Sequence, residues 1–217
     1  MFPISDSIPP RRFPFINVAI IIATAYAFYQ QFVSPSPDVF IQQYALIPSL
    51  VDFNNPQSLI PFVTAIFLHG GFLHIISNMW FLWVFGDNVE GYLGFFPYVL
   101  LYFLAGVVGN VAQYLLMPNS TIPMLGASGA VAGVLGAYFV LFPHSQIKTL
   151  VPVFVLLTTI NIPAFFMLGY WFILQILSGA ASLPFSNETG GIAFWAHVGG
   201  FATGVLIAKF FNDKRSS

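Results

Sequence analysis

Six stretches of this chain, near residues 15–33, 71–90, 95–117, 126–143, 163–178 and 194–211, are apolar almost without interruption. Runs of this kind match the length a helix needs to cross the hydrocarbon core of a bilayer, roughly 20 residues. A backbone in hydrocarbon must satisfy its own hydrogen bonds, so a span is either a helix or a strand of a closed barrel. Barrel strands alternate polar and apolar residues over about ten positions, and these runs do not alternate. Composition agrees: 58 % of residues are hydrophobic and 6 % are charged, against about 25 % charged in a soluble domain. Such a chain has too little polar surface to face water on all sides. Its six lysines and arginines are too few for a nucleic-acid footprint. It has no cysteine, which excludes disulfide and thiolate chemistry.

The predicted fold class is therefore an all-α polytopic membrane protein, a bundle of six transmembrane helices over residues 15–211. Residues 1–14 are polar and proline-rich and precede it; residues 212–217 form a polar tail. The first run resembles a signal-peptide core behind Arg11 and Arg12. It is long for one and lacks a small-residue cleavage site, so it reads as a retained helix. Residues 34–58, with four prolines, read as a long loop, and residues 180–191 as a polar loop. Residues 148–161 are apolar but interrupted by Pro152 and followed by Pro163, and no shape is assigned to them. With six helices and the N-terminus inside, Arg11, Arg12, Lys148, Lys209, Lys214 and Arg215 all fall on the inner side. The positive-inside rule then makes both termini cytoplasmic. No internal repeat is visible, which weighs against an inverted-repeat transporter.

Orientation brings four polar residues to one depth. His74 and Asn78 share a face of the second helix, at i and i+4. Ser128 opens the fourth helix and His197 opens the sixth. All three helices run inward, so the four residues gather near the outer face. Gly129, Gly133 and Ala137 form a small-residue stripe on the fourth helix; Ala196, Gly200, Gly204 and Ala208 form another on the sixth. Such stripes let helix backbones approach closely, which would bring Ser128 and His197 together as nucleophile and base. Taken singly, the serine reads as a packing residue, whereas a histidine within a span is costly enough to suggest a function. His69 reads as a brace for the loop before the second helix, and His144 as a cap at the far end of the fourth. Asn110 and Gln113 read as hydrogen bonds between helices.

Gly126-Ala127-Ser128-Gly129, the segment from His69 through His74 to Asn78, and Ala196-His197-Val198-Gly199-Gly200 together resemble the rhomboid family of intramembrane serine proteases. The resemblance covers about residues 13–211. It implies Ser128 as nucleophile and His197 as general base, with His74, Asn78 and the Ser128 N–H as the oxyanion hole. It implies structural roles near the site for His69, Gly126 and Gly129. It implies no cofactor and no metal, and transmembrane protein substrates that unwind locally and enter near the second and fifth helices. One position departs from the family pattern. Many members carry an aromatic residue four positions after the serine, under the histidine, and here Ala132 stands there. The first loop also lacks a Trp-Arg pair found in some members.

The predicted function is intramembrane peptide hydrolysis by a Ser–His dyad, since no acidic residue lies at that depth to make a triad. The competing readings are a histidine-lined transporter or metal channel, and an inactive rhomboid-like binding protein. The simplest predicted location is a prokaryotic inner membrane. Phe165, Phe166, Trp171 and Phe172 make the fifth helix a predicted gate. The loop after it is a predicted cap, with Leu183 or Phe185 dipping in.

Overall fold

The computed structural model describes residues 2–153, 156–185 and 192–216. Among them the elements are β1 (Phe2–Ser5), α1 (Phe15–Val33), α2 (Pro37–Tyr44), α3 (Pro61–Thr64), α4 (Phe72–Leu93), α5 (Phe95–Leu116), α6 (Ser128–Leu141), β2 (Gln146–Val153), β3 (Leu156–Pro163), α7 (Ala164–Ser182) and α8 (Phe194–Ser216). The protein is mostly helical. Four helices, α1, α5, α7 and most of α8, are long and apolar enough to cross a membrane. The helical segment Pro56–Phe67 and α4 together form a fifth candidate span, bent by 76° at the break between them. The remaining expected span, over residues 126–143, corresponds to α6, which has 14 residues and is about 21 Å long. It sits at the centre of the bundle: every residue from Gly129 to Tyr138 is buried. A helix wrapped by protein need not match the bilayer.

The small-residue stripes explain that packing. A methyl group on Gly200 would collide with the Gly129 carbonyl, and one on Gly204 with the Gly133 carbonyl. The α6 and α8 backbones are therefore in direct contact, as the stripes predict. On the α5 side, a Cβ on Gly109 would lie 2.5 Å from the Ala196 carbonyl oxygen. Asn110 donates to the Phe62 carbonyl at 2.9 Å. The Trp195 N–H donates to Gln113 Oε1 at 3.0 Å. Both amides thus join separate elements.

A small sheet departs from the all-α expectation, and two expected loops are partly helical. The stretch 148–161, given no shape from the sequence, falls in the antiparallel strands β2 and β3, and β1 adds to them in a three-stranded antiparallel sheet, order β1-β2-β3. Half of the residues of β2 and β3 are β-branched and Lys148 is their one charged residue, and Pro152 and Pro163 bar a continuous helix. The sheet follows the C-terminal end of α6, one helix length from Ser128. The predicted loop 34–58 also contains α2 and two 3-10 turns. The predicted tail is the last turn and a half of α8, which continues to Ser216.

Glu90 holds the start of α1. Its carboxylate accepts the N–H groups of Ile16 (3.1 Å) and Asn17 (2.8 Å), two of the donors a helix N-terminus leaves unpaired. This accounts for a carboxylate buried to 4 % exposure.

Candidate active site

The loop entering α6 is tied down along its length. Met124 and Leu46 exchange backbone hydrogen bonds in both directions. The Gly126 N–H donates to the Ala65 carbonyl at 2.9 Å. The Ala127 N–H donates to His69 Nε2 at 3.5 Å. Gly126 has φ 128°, a conformation an L side chain resists. A Cβ there would also lie 2.8 Å from His74 Nε2. Glycine at this position therefore serves both the turn and the approach of the imidazole. Ser128 follows as the first residue of α6, with no capping side chain, so its N–H is among those left free by the helix.

His69 is fully buried and braces the loop, as the sequence reading expects. Gln31 on α1 brackets its backbone, donating to its carbonyl at 2.7 Å and accepting its N–H at 3.2 Å. His74 packs edge-on against the His69 ring, centroids 5.0 Å apart. His74 Nδ1 accepts the Gly70 N–H at 3.3 Å. A neutral imidazole accepting at Nδ1 carries its proton on Nε2, and the Cε1–Nε2 edge of the ring is the one turned toward Gly126. Asn78, one turn further on α4, is 7 % exposed, and its Nδ2 is buried without a hydrogen-bond partner. An unpaired buried donor is costly, and this one is available to an acceptor that arrives from outside.

His197 is 8 % exposed and contacts α7. Its Nδ1 lies 2.7 Å from Gln175 Oε1, and its ring packs against Trp171 with centroids 5.7 Å apart and planes at 32°. Sequence reasoning missed both partners. A glutamine in an apolar helix was the available signal, and nothing local says which neighbour it meets.

Ser128, His197, His74 and Asn78 line one cavity of about 560 Å³, together with Ser77 and Gly70. The four residues predicted to share a depth thus line the same cavity. His144 is exposed beyond the other end of α6. The predicted cap is only partly described: Ser182 and Ile192 line the cavity from its two ends, Leu183 is 39 % exposed, and the side chain of Phe185 and residues 186–191 lie outside the described residues. Of the predicted gate aromatics, Phe165 and Phe166 point outward, at 49 % and 66 % exposure. Trp171 packs inward, and Phe172 stacks on Phe201 at 4.3 Å. A second, apolar cavity of about 340 Å³ lies between Phe81 of α4 and Met167, Tyr170, Trp171 and Leu174 of α7.

The cavity wall thus offers a hydroxyl from Ser128, two imidazoles from His74 and His197, and the unpaired amide N–H of Asn78. The histidines do not form a metal set: among the described residues no three of His, Cys, Asp or Glu gather closely enough to hold an ion.

Comparison with known proteins agrees with the motifs. The profile of the rhomboid domain matches residues 56–213. Rhomboid protein 1, mitochondrial, of Saccharomyces cerevisiae is 32 % identical over 179 residues, which is 80 % of this chain and 46 % of that protein. Rhomboid-like protein 11, chloroplastic, of Arabidopsis thaliana is 40 % identical over 88 residues, 41 % of this chain and 31 % of that one. Rhomboid protease GluP of Bacillus subtilis is 40 % identical over 75 residues, 35 % of this chain and 14 % of that one. The chain thus spans less than half the length of each of these relatives. Their names place them in mitochondrial, chloroplast and bacterial settings, so the predicted prokaryotic inner membrane finds no support; an integral, multi-pass membrane protein does.

Proposed function

Because this chain belongs to the rhomboid family, we propose that it is an intramembrane serine endopeptidase that hydrolyses peptide bonds in or near transmembrane segments of other membrane proteins. The observation that carries this reading is the convergence of Ser128, His197, His74 and the unpaired Asn78 amide on one cavity. A hydroxyl, an imidazole and an unpaired amide N–H lining one cavity are the parts that acyl transfer with oxyanion stabilisation uses.

In this mechanism Ser128 Oγ attacks the scissile carbonyl carbon and its proton passes to His197 Nε2. The carbonyl oxygen becomes an oxyanion and accepts from His74 Nε2–H, Asn78 Nδ2–H and the Ser128 N–H. The positive end of the α6 dipole favours the same charge. Collapse breaks the C–N bond, His197 returns the proton to the leaving amine, and the acyl chain remains on Ser128. Water, deprotonated by His197, then hydrolyses the ester and restores the enzyme. The intervening steps need no metal. The substrate unwinds locally, because a helix hides its carbonyls, and it approaches through the apolar cavity between α4 and α7. Six helices with both termini cytoplasmic, α6 being the short central one, is the proposed topology.

The test is cleavage of a single-span model substrate by purified protein, with labelling by a fluorophosphonate. Wild type should cleave and be labelled at Ser128, and Ser128→Ala should do neither. Cleavage by folded Ser128→Ala at a near-normal rate would end the serine-protease reading.

A further inference from the structure

We infer that α7 carries the positioning residues of the base: Gln175 sets the tautomer of His197, and Trp171 sets the plane of its ring. This rests on the dyad reading above. Ala132, at the family's usual aromatic position on α6, offers neither a ring nor a polar atom, so the imidazole must be oriented from elsewhere. Gln175 Oε1, 2.7 Å from Nδ1, is an amide oxygen and only accepts, so Nδ1 carries the proton and the lone pair lies on Nε2. That is the tautomer a base needs. The amide is held in this sense by its own other end, since Gln175 Nε2–H points to the Trp171 carbonyl at 3.5 Å. Reversed, the amide would donate to Nδ1, drive the proton to Nε2 and leave Ser128 without an acceptor.

Trp171 lies one turn before Gln175, so both face His197. The indole is held in turn by Phe201, at 6.2 Å between centroids, and Phe201 is one turn along α8 from His197. Trp171 also lines the cavity between α4 and α7. One side chain thus touches the proposed substrate path on one side and the base on the other. Meanwhile α7 is the least buried of the long spans, with 17 % of its apolar window buried against 28 % to 39 % for the others. A substrate that displaces α7 removes the acceptor at Nδ1 and the ring's packing partner together. Hydrolysis then requires α7 to dock again.

The experiment reads the imidazole directly. Protein labelled with ¹⁵N-histidine, His197 being assigned from the spectrum of His197→Ala, reports which ring nitrogen is protonated. Wild type should show Nδ1 protonated and Nε2 bare. Gln175→Leu should lose that preference and lower kcat about tenfold, the scale of one hydrogen bond, with KM changed less than about twofold. Labelling of Ser128 by a small fluorophosphonate should slow by the same factor, because that reagent requires no helix to part. Gln175→Glu keeps an acceptor in place and should recover most of the rate; Trp171→Phe should recover more than Trp171→Ala. A bare Nδ1 in wild-type His197, or wild-type labelling rates in Gln175→Leu, overturns the inference. Should Gln175→Leu not fold, the wild-type spectrum and Gln175→Glu still decide it. A wild type that is never labelled at Ser128 would instead defeat the dyad reading, and the spectrum would still say what holds His197.

Discussion

At the scale of single residues, the proposed oxyanion donors are the sharpest point. Asn78 Nδ2 has no partner, and His74 has its Nε2 proton directed by the Gly70 N–H on the opposite nitrogen. Donors that pay no reorganisation at the moment of reaction are worth most when charge develops. Asn78→Ala and His74→Ala should each lower kcat by about 100- to 1,000-fold with a smaller change in KM. Both should remain milder than Ser128→Ala, because two donors survive each change. The losses from Ser128→Ala and His197→Ala should not add, since nucleophile and base act as a unit. Steady-state kinetics on the four single variants and the Ser128→Ala/His197→Ala double variant check this. A complete loss in folded Asn78→Ala would mark the amide as structural.

Among the elements, the contact between α6 and α8 decides whether a site exists. Gly200 lies against the Gly129 carbonyl, one residue from Ser128 and three from His197. Gly200→Val should push the two backbones apart, lowering thermal stability and abolishing cleavage. Overpacking of this kind typically costs about 1–3 kcal/mol. Gly169→Ala on α7 is the contrasting case. Its Cβ would meet nothing closer than Phe139 at 3.6 Å, and removing a glycine from a helix interior is favourable by up to about 1 kcal/mol. Its melting temperature should hold or rise, with cleavage unchanged. Equal damage from both variants would remove the packing argument.

For the molecule as a whole, two connections matter. The first is between α4 and α7, where the apolar cavity lies. The chain has no cysteine, so a reducible bifunctional thiol reagent joining Phe81→Cys to Leu174→Cys across that cavity makes the sole cross-link. It should block cleavage of a transmembrane substrate until reduced, yet leave fluorophosphonate labelling of Ser128 near the wild-type rate. Full cleavage by the cross-linked protein would rule out access between these helices. The second is the latch at the opposite end of the bundle. The Trp80 Nε1–H donates to the Pro3 carbonyl at 2.6 Å, and Asp6 accepts from Asn88 at 2.8 Å and from Tyr138. Burial lifts the Asp6 carboxyl above its ordinary range, outweighing the hydrogen bonds that lower it. Folding therefore shifts Asp6 toward its protonated form relative to the unfolded chain. The stability Asp6 adds is full at low pH and is lost as pH rises through the raised value. The melting temperature of wild type, relative to Asp6→Asn, should fall as pH increases.

Much of this was legible in the residues themselves. Hydrocarbon admits few backbone solutions, so the apolar runs alone point to a helical membrane protein. Their order then places Ser128, His197, His74 and Asn78 at one depth, because each helix start is marked by glycine or a polar loop. The small-residue stripes name the pair of helices that touch, since steric access is a property of the residue. Three things needed the fold. The β2–β3 pair was hidden because an apolar run broken by Pro152 suits several shapes until β1, far away in sequence, supplies a partner strand. The burial of 14-residue α6 depends on which helices surround it. The partners of His197 depend on the rotation of α7, and rotation is set by packing against Phe201 and His197. Composition and periodicity determined that Gln175 and Trp171 share a face; only tertiary contact decided that this face meets the base.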